Sequence, residues 1–484
     1  MRNRPAYCSM KPYPAAHQAI EGKLHFSFLN QSHRFSEQID WNEMKYGKLW
    51  NYHLNYFEFA HQADIDSDLI KSLSQDHLSK YKSLKDGSDP YPTSLRIINL
   101  VKFFSQYSNE NQLIDEWIGQ QCLSVKKRLE YHILGNHLLE NAFALLFGAY
   151  HLQDEEFWHT GSHLLAEQLK VQILDDGGHI ERSPMYHNII LARLLDSFNL
   201  ISQNDYFAAS SLKAQIKDVI ERMLSWMFHM TQGKDIIMVN DSFPNQAHSP
   251  YILDDYAKSL GITQQYLPLA DSGYIKMIND DMTCVVDVGE LGPAYQPGHA
   301  HADTLQVLLW INHQEVITEA GTSIYLPGAV RDYERSTPAH NTVTVNDWNS
   351  SDVWSTFRVG RRANVEIIRT DNNLVEATHT GYEYMGATHQ RSVELLHDQL
   401  VIRDQVSCQR VVLCKAYLHF HPDDRPRQYD SKIELNSCVI RIENSTKIKL
   451  LDYQFATGYN RRMTAVKAEI SFDTELLTTI SRRS

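Results

Sequence analysis

From about Asp40 to Leu269, apolar residues recur three and four positions apart, with few β-branched runs. That is the period of one helix face. LGNHLLENAFALLFGAYHL is the clearest case, with Leu134, Leu138, Ala142, Leu145, Leu146 and Ala149 on that spacing. SLRIINLVKFFSQY, HLLAEQLKVQIL, HNIILARLLDSFNLI and IKDVIERMLSWMFHM predict further helices, punctuated by turn segments such as DDGGH and TQGKD. Helices recurring with such breaks suggest antiparallel pairs. After Asp271-Ser272-Gly273 the period falls to two and β-branched residues take over, as in TCVVDVG, TLQVLLWI, NTVTVND and SVELLHDQLVIRDQV. Many short runs of this kind, separated by Asn, Asp and Gly, predict an antiparallel β-sandwich. The expected organisation is an irregular arm over 1–35 (Pro5, Pro12, Pro14), a helical domain over 36–269 and a sandwich over 270–484. A cleft between the two domains is the expected place for a ligand.

The length of 484 residues fits roughly two or three domains of about 150 residues each. Lys plus Arg number 46 against 59 Asp plus Glu, a net charge of −13. That balance argues against a nucleic-acid-coating protein, which needs a basic face to displace counterions. A polyanionic ligand would have to meet a local cluster of Arg and His. No stretch reaches the 18 apolar residues of a membrane span, and the N-terminus lacks the apolar core of a signal peptide. The chain therefore reads as cytoplasmic by sequence and not membrane-bound, with export by an unrecognised route left open. Six cysteines without a CxxC pair read as free thiols. Oligomeric state is not legible.

Four clusters could carry chemistry. In Gly135-Asn136-His137-Leu138-Leu139-Glu140-Asn141, Asn136 and Glu140 lie four apart on one helix face. They form either a satisfied internal network or a polar edge facing a cleft. In DGGHIERSPMYH, Ser183 followed by Pro184 reads as N-cap and first helical residue. Tyr186 then sits in the first turn, where the positive helix end favours a phenolate; taken alone it could equally be a packing residue. In Gly298-His299-Ala300-His301-Ala302-Asp303 an extended backbone sends His299, His301 and Asp303 to one side. With Glu319 and His340 downstream, His301 completes an N,O,N set with an open position, suited to zinc or a similar divalent ion. The fourth cluster is Arg331-Asp332-Tyr333-Glu334-Arg335 with Arg358, Arg361 and Arg362. Arg binds carboxylate or sulfate through two parallel donors, whereas a solvated charged surface is the plainer reading.

In this order the blocks NHLLENAFAL, DGGHIERSPMYH, GHAHADTL and EAGTSIYLPGAVRDYERSTPAHNTVTVN resemble the active-site segments of the heparinase II/III-like polysaccharide lyases. The helical entry LWNYHLNYFEFA adds to the resemblance, which runs from about residue 25 to at least 365. It implies an incomplete (α/α) toroid joined to an antiparallel β-sandwich. It implies that Asn136 and His137 neutralise a uronate carboxylate, that Tyr186 transfers a proton, and that His299 reaches the substrate with Tyr333 as a second phenol. Glu140, Arg331, Arg335 and Arg358 would bind substrate. His301, Glu319 and His340 would match a structural zinc site, with Glu where relatives often have Asp.

The implied reaction is β-elimination in an acidic polysaccharide. It needs donors to the carboxylate, a base for the C5 proton and an acid for the departing O4. Three competitors differ in what they require. A glycoside hydrolase needs paired carboxylates, for which Glu140, Asp176 and Glu181 are the candidates. A silent carbohydrate-binding or exopolysaccharide-assembly protein would bind a glycan and leave it uncut. A metallo-hydrolase of the HxHxDH kind fails at Thr304, where the last His should stand.

Overall fold

The computed structural model of the chain describes residues 8–16, 19–107 and 111–483. Within the stretch expected to be an irregular arm, Ala19–Glu21, His25–Phe28 and Gln31–Arg34 pair as a three-stranded antiparallel sheet. The cause is local. Leu29 and Asn30 both take positive φ, 54° and 61°, as a two-residue hairpin turn demands. Phe26 and Phe28 share one face and are buried, with Phe26 edge-on to Phe59 at 5.6 Å. Pro12 and Pro14 do lie in irregular chain, and Pro5 lies outside the described residues.

The fold is α+β and divides into two compact units, neither contiguous in sequence. One comprises Met1–Ile173, Asn188–Ser225 and Asn245–Tyr266; the other comprises Leu174–His187, Trp226–Pro244 and Leu267–Ser484. The sheet-bearing unit thus takes two segments from the helical half of the sequence.

In the first unit the periodic stretches form helices over Pro90–Gln106, Gln112–Lys127, Gly135–Leu152 and Glu155–Gln172, among others. Asn111 and Asp154 cap two of them by accepting from Leu113 N and Phe157 N, at the usual position for such side chains. Gly135–Leu152 is buried almost all round, as a helix apolar on every side must be. Its partner reaches it at Gly161, where a Cβ would stand 2.8 Å from Leu146 N.

The second unit is built on one antiparallel sheet whose spine is Arg461–Arg482, paired along its length with Cys438–Gly458. On its other edge the spine changes partner. Residues 467–472 pair with Cys414–Phe420, and 475–481 pair with Gln399–Cys408. One branch continues through Ala387–Leu395 and Leu374–His379 to Val365–Asp371. The other continues through Gln314–Thr318, Val307–Ile311 and Met282–Asp287 to Tyr274–Ile278. Ala387–Leu395 alternates buried positions with exposed or half-buried ones, whereas Met282–Asp287 and Val307–Ile311 are buried throughout. Val286, Leu309 and their neighbours face the main apolar cluster. Val285, Leu308 and Trp310 pack on the other side against Trp226, Met230, Ile237 and Val239. The segment Trp226–Pro244 therefore covers a face that alternation would leave wet.

Among the described residues, no helix is long and apolar enough to cross a membrane.

Candidate functional site

In the sheet-bearing unit a short loop and a helix start place Tyr186. Asp176 Oδ2 accepts from Ser272 N, Ser272 Oγ and Ala270 N at 2.9, 2.6 and 3.0 Å, which pins the DDGGH turn. Gly178 has no room for a side chain, since a Cβ would lie 2.8 Å from Trp226 Nε1. Arg182 takes a left-handed φ of 54°. Tyr274 Oη and Asn240 Nδ2 hold its carbonyl at 2.8 and 3.2 Å. Helix Pro184–Gln203 starts there, and Ser183 Oγ accepts from Tyr186 N at 3.3 Å. The capping serine and N1 proline stand where the sequence puts them.

Tyr186 stacks on His299, with ring centroids 4.0 Å apart and planes 30° apart. Its hydroxyl lies 3.4 Å from that of Tyr325. Phe357 and Tyr325 flank His299 at 5.8 and 6.2 Å between ring centroids. Burial pushes the Tyr186 phenol far up from its ordinary value. Asp241 and Glu181 add to that shift, while the hydroxyl of Tyr325 and the charge of Arg331 oppose it. The helix-end field, typically 0.3–1 kcal/mol, is too small to offset burial. Tyr186 therefore rests as a neutral phenol, and the phenolate that a helix N-terminus favours belongs only to the moment of proton transfer.

A buried carboxylate organises the site. Asp241 accepts from His299 Nδ1 and His301 Nε2, each at 2.9 Å, and from both terminal nitrogens of Arg331 at 2.5 and 2.7 Å. Burial alone would raise its pKa, but Arg331 and the two imidazoles hold it well below the carboxylate range. An ionised carboxylate only accepts, so His299 carries its hydrogen on Nδ1 and His301 on Nε2. In its uncharged form the His299 ring keeps a lone pair on Nε2, and the His301 ring keeps one on Nδ1.

His301, Glu319 and His340 are buried, and a ligand atom from each falls within 4.8 Å of the other two. His301 Nδ1, Glu319 Oε1 and His340 Nε2 are buried without a hydrogen-bond partner. Orphaned buried polar atoms need an explanation, and two nitrogens with a carboxylate oxygen are a donor set that fits a divalent cation.

In the helical unit, Leu134 and Gly135 both turn through positive φ, 62° and 54°, to start helix Gly135–Leu152. His137 Nδ1 lies 3.0 Å from Glu130 Oε1, and its ring lies against Tyr91 at 4.2 Å. Asn141 donates to Glu130 Oε2 at 2.9 Å. Asn136 is buried, and about a third of the His137 side chain is exposed (31%).

Family models for the heparinase II/III N-terminus and the heparinase II/III-like C-terminal region match residues 42–261 and 262–480. The chain belongs to the heparinase II/III-like family. A heparin-sulfate lyase of Bacteroides stercoris is 24% identical over 354 residues, 66% of this chain and 50% of that protein. One from Pedobacter heparinus is 25% identical over 459 residues, 86% of this chain and 65% of that protein. The chain thus spans between half and two-thirds of the length of these curated relatives. A crystal structure of heparinase III superposes with a TM-score of 0.69 at 15% identity, over 93% of this chain and 80% of that one.

Several residues singled out from the sequence of this heparinase II/III-like chain have other work. Arg331 is bound to Asp241, and it also donates to Thr356 O at 3.1 Å. Arg335 donates to the carbonyls of Ala300, Ser355 and Thr356. Both guanidiniums are buried and hold backbone in place, so they do not form the substrate-binding pair expected. Arg358, in contrast, is exposed. Glu140 is buried and paired with Arg193 Nε at 3.1 and 3.2 Å, so its carboxylate serves an internal ion pair. The Tyr333 hydroxyl lies 2.9 Å from Lys467 Nζ, and it is Tyr325 that stands beside Tyr186. Sequence reasoning missed Asp241 and Tyr325. VNDSF reads as an ordinary Asn-Asp turn, and SIYLPG as a loop. Only the contact with histidines some 60 positions away (58 and 60) gives Asp241 its role.

Proposed function

We propose that this chain is a polysaccharide lyase that cleaves a uronic-acid-containing polysaccharide by β-elimination. The toroid-and-sandwich arrangement of the family is part of this reading. The observation that carries it is the Tyr186–His299 stack with His299 oriented by Asp241. An imidazole with Nδ1–H on a carboxylate presents Nε2 as a base, and such a base contributes on the order of 10²–10⁴-fold. His299 takes the C5 proton. Tyr186, a neutral phenol beside Tyr325, gives its proton to the departing O4, an alkoxide basic enough to accept it. Family resemblance assigns the donors for the uronate carboxylate to Asn136 and His137. Each such donor is worth about 3–4 kcal/mol when removed.

His301, Glu319 and His340 would hold a divalent ion, zinc by the donor set. A bound ion would tie three loop segments together, and the elimination needs no metal-bound hydroxide. Tyr325 replaces Tyr333 as the second phenol in this reading.

The hydrolase alternative loses support because Glu140 is paired with Arg193 and Asp176 is bonded to Ser272. The test is a panel of heparan-, chondroitin-, alginate- and capsule-type uronates followed by ultraviolet absorbance and reducing-end assay. A rise in both signals is expected. Reducing ends without absorbance would convert the assignment to a hydrolase, and glycan binding without either signal would mark a silent member.

A further inference from the structure

Val353–Trp354 and Arg358–Val359 form a two-stranded hairpin in which Trp354 pairs directly with Arg358. Directly opposed residues present their side chains on the same face, roughly 5 Å apart. Trp354 is 57% exposed, and Phe357 at the turn is 38% exposed. Scattered exposed apolar residues are ordinary, but this turn is held unusually firmly. Arg331 and Arg335, both buried, donate to the carbonyl of Thr356, and Arg335 also donates to that of Ser355. Arg331 carries Asp241 on its other face, so turn and His299 share one support. The hairpin also lies flush against the segment bearing His299, since a Cβ at Gly298 would sit 3.6 Å from Phe357 Cβ. Phe357, in the turn of this hairpin, stands 5.8 Å from His299 between ring centroids, and Arg358 and Trp354 are exposed on the same hairpin. In a chain with a net charge of −13, a local cation beside an exposed indole matches an anionic sugar, whose ring has an apolar face for stacking and whose acid group meets Arg358.

We propose that the hairpin Val353–Val359 is a second sugar subsite, which takes an anionic ring of the polysaccharide next to the one held at Tyr186 and His299. This rests on the lyase reading and extends it to specificity. Neighbouring acidic rings would be favoured over chains with isolated charges.

The test uses the full chain carrying Tyr186→Phe, titrated with each polymer of the uronate panel and followed by tryptophan fluorescence. Adding Trp354→Ala should weaken binding about 3- to 10-fold, the range of an aromatic stacking contact, and remove most of the fluorescence change. Adding Arg358→Ala should weaken binding and flatten its salt dependence. In the active enzyme the same changes should appear in KM more than in kcat. Tyr429→Ala, an exposed aromatic on another strand, is the control. Binding within twofold of the parent in both hairpin variants overturns the subsite, whether or not the polymer is cleaved. A polymer bound through Trp354 but never cleaved overturns the lyase reading and keeps the subsite. A panel with no polymer bound or cleaved overturns both.

Discussion

Asp241→Asn is the perturbation that bears most directly on the proposed chemistry, because one carboxylate there accepts from four groups, His299, His301, Arg331 and Thr322. The amide keeps the volume and one acceptor oxygen but replaces the other oxygen with a donor. Asp241 Oδ1 faces His301, Arg331 and the Thr322 hydroxyl, and Oδ2 faces His299 and the second Arg331 nitrogen. In either orientation the new amide nitrogen faces Arg331 and one imidazole N–H, groups that are themselves donors. Arg331 is also left buried without its counter-charge. Breaking a buried pair in this way costs about 3–5 kcal/mol. At roughly 2–4 °C per kcal/mol for a unit of this size, the sheet-bearing unit should melt on the order of 6–20 °C lower. If the Asn nitrogen faces His299, the ring relieves the clash by moving its hydrogen to Nε2, and the base disappears. The expected loss in kcat is about 10²–10⁴-fold, measured by ultraviolet absorbance well below the variant's own melting temperature. A folded Asp241→Asn protein that melts within a few degrees of the parent and turns over within tenfold of it would refute the reasoning.

Tyr186→Phe should remove turnover while leaving glycan affinity nearly unchanged, since only the hydroxyl is lost; full activity would exclude Tyr186 from proton transfer. His301→Ala should lower melting temperature and metal content together, and a chelator should destabilise the parent but not the variant. Metal analysis of the parent that finds far less than one ion per chain would sink the site. Acid should weaken the far branch of the sheet through Asp404. Burial would raise its pKa, but Arg391 and His389 bring it from an ordinary 3.8 to about 2. A group depressed on folding stabilises fully above its unfolded value, and that stabilisation is lost as pH falls through the folded one. Roughly 2 kcal/mol should therefore vanish between about pH 4 and 2. Asp404→Asn should lack that slope in denaturant titrations, and equal slopes in both proteins would contradict the assignment.

The periodic parts of the fold were legible in the sequence, because a change from a 3.6 to a 2 residue repeat reports which way side chains face. The hairpin at Leu29-Asn30 was not, because its turn lacks glycine and its three prolines upstream suggested irregular chain. The division of the chain was legible only as a single cut near residue 270. Trp226–Pro244 carries a helix end and short strands, and nothing local shows that it covers the far face of Val285 and Leu308. At the site, local rules found the Ser183-Pro184 helix start, whereas His299 and His301, expected on extended backbone, lie in a turn and irregular chain and converge because both reach Asp241. They misread Arg331 and Arg335, since a charge cluster looks solvated or ligand-binding until the carbonyls that bury it are known. For Tyr186 the helix-end field can be read from sequence, whereas the larger burial effect that keeps the resting phenol neutral cannot.

The placement of Asp241 has a consequence for how metal and base depend on each other. His299 and His301 are two residues apart and bind opposite oxygens of one carboxylate. Fixing the His301 ring through a bound ion therefore fixes the Asp241 plane, and with it the line along which His299 Nδ1 must donate. Arg331 closes the arrangement by holding the same two oxygens from a third side. Freeing His301 removes one of the donors that fix Asp241, so the carboxylate is held by Arg331, Thr322 and His299 alone and His299 Nε2 is fixed less tightly relative to a sugar carbon. An ion distant from the reaction would then affect kcat through geometry alone, since misplacement by about 1 Å can cost on the order of 100-fold. This is why metal loss and the Asp241→Asn substitution are expected to resemble each other in rate and differ in charge. The first leaves the carboxylate ionised and its hydrogen bond to His299 intact, and restoring the ion should restore turnover. The second leaves Arg331 without a partner, and no added ion should restore it.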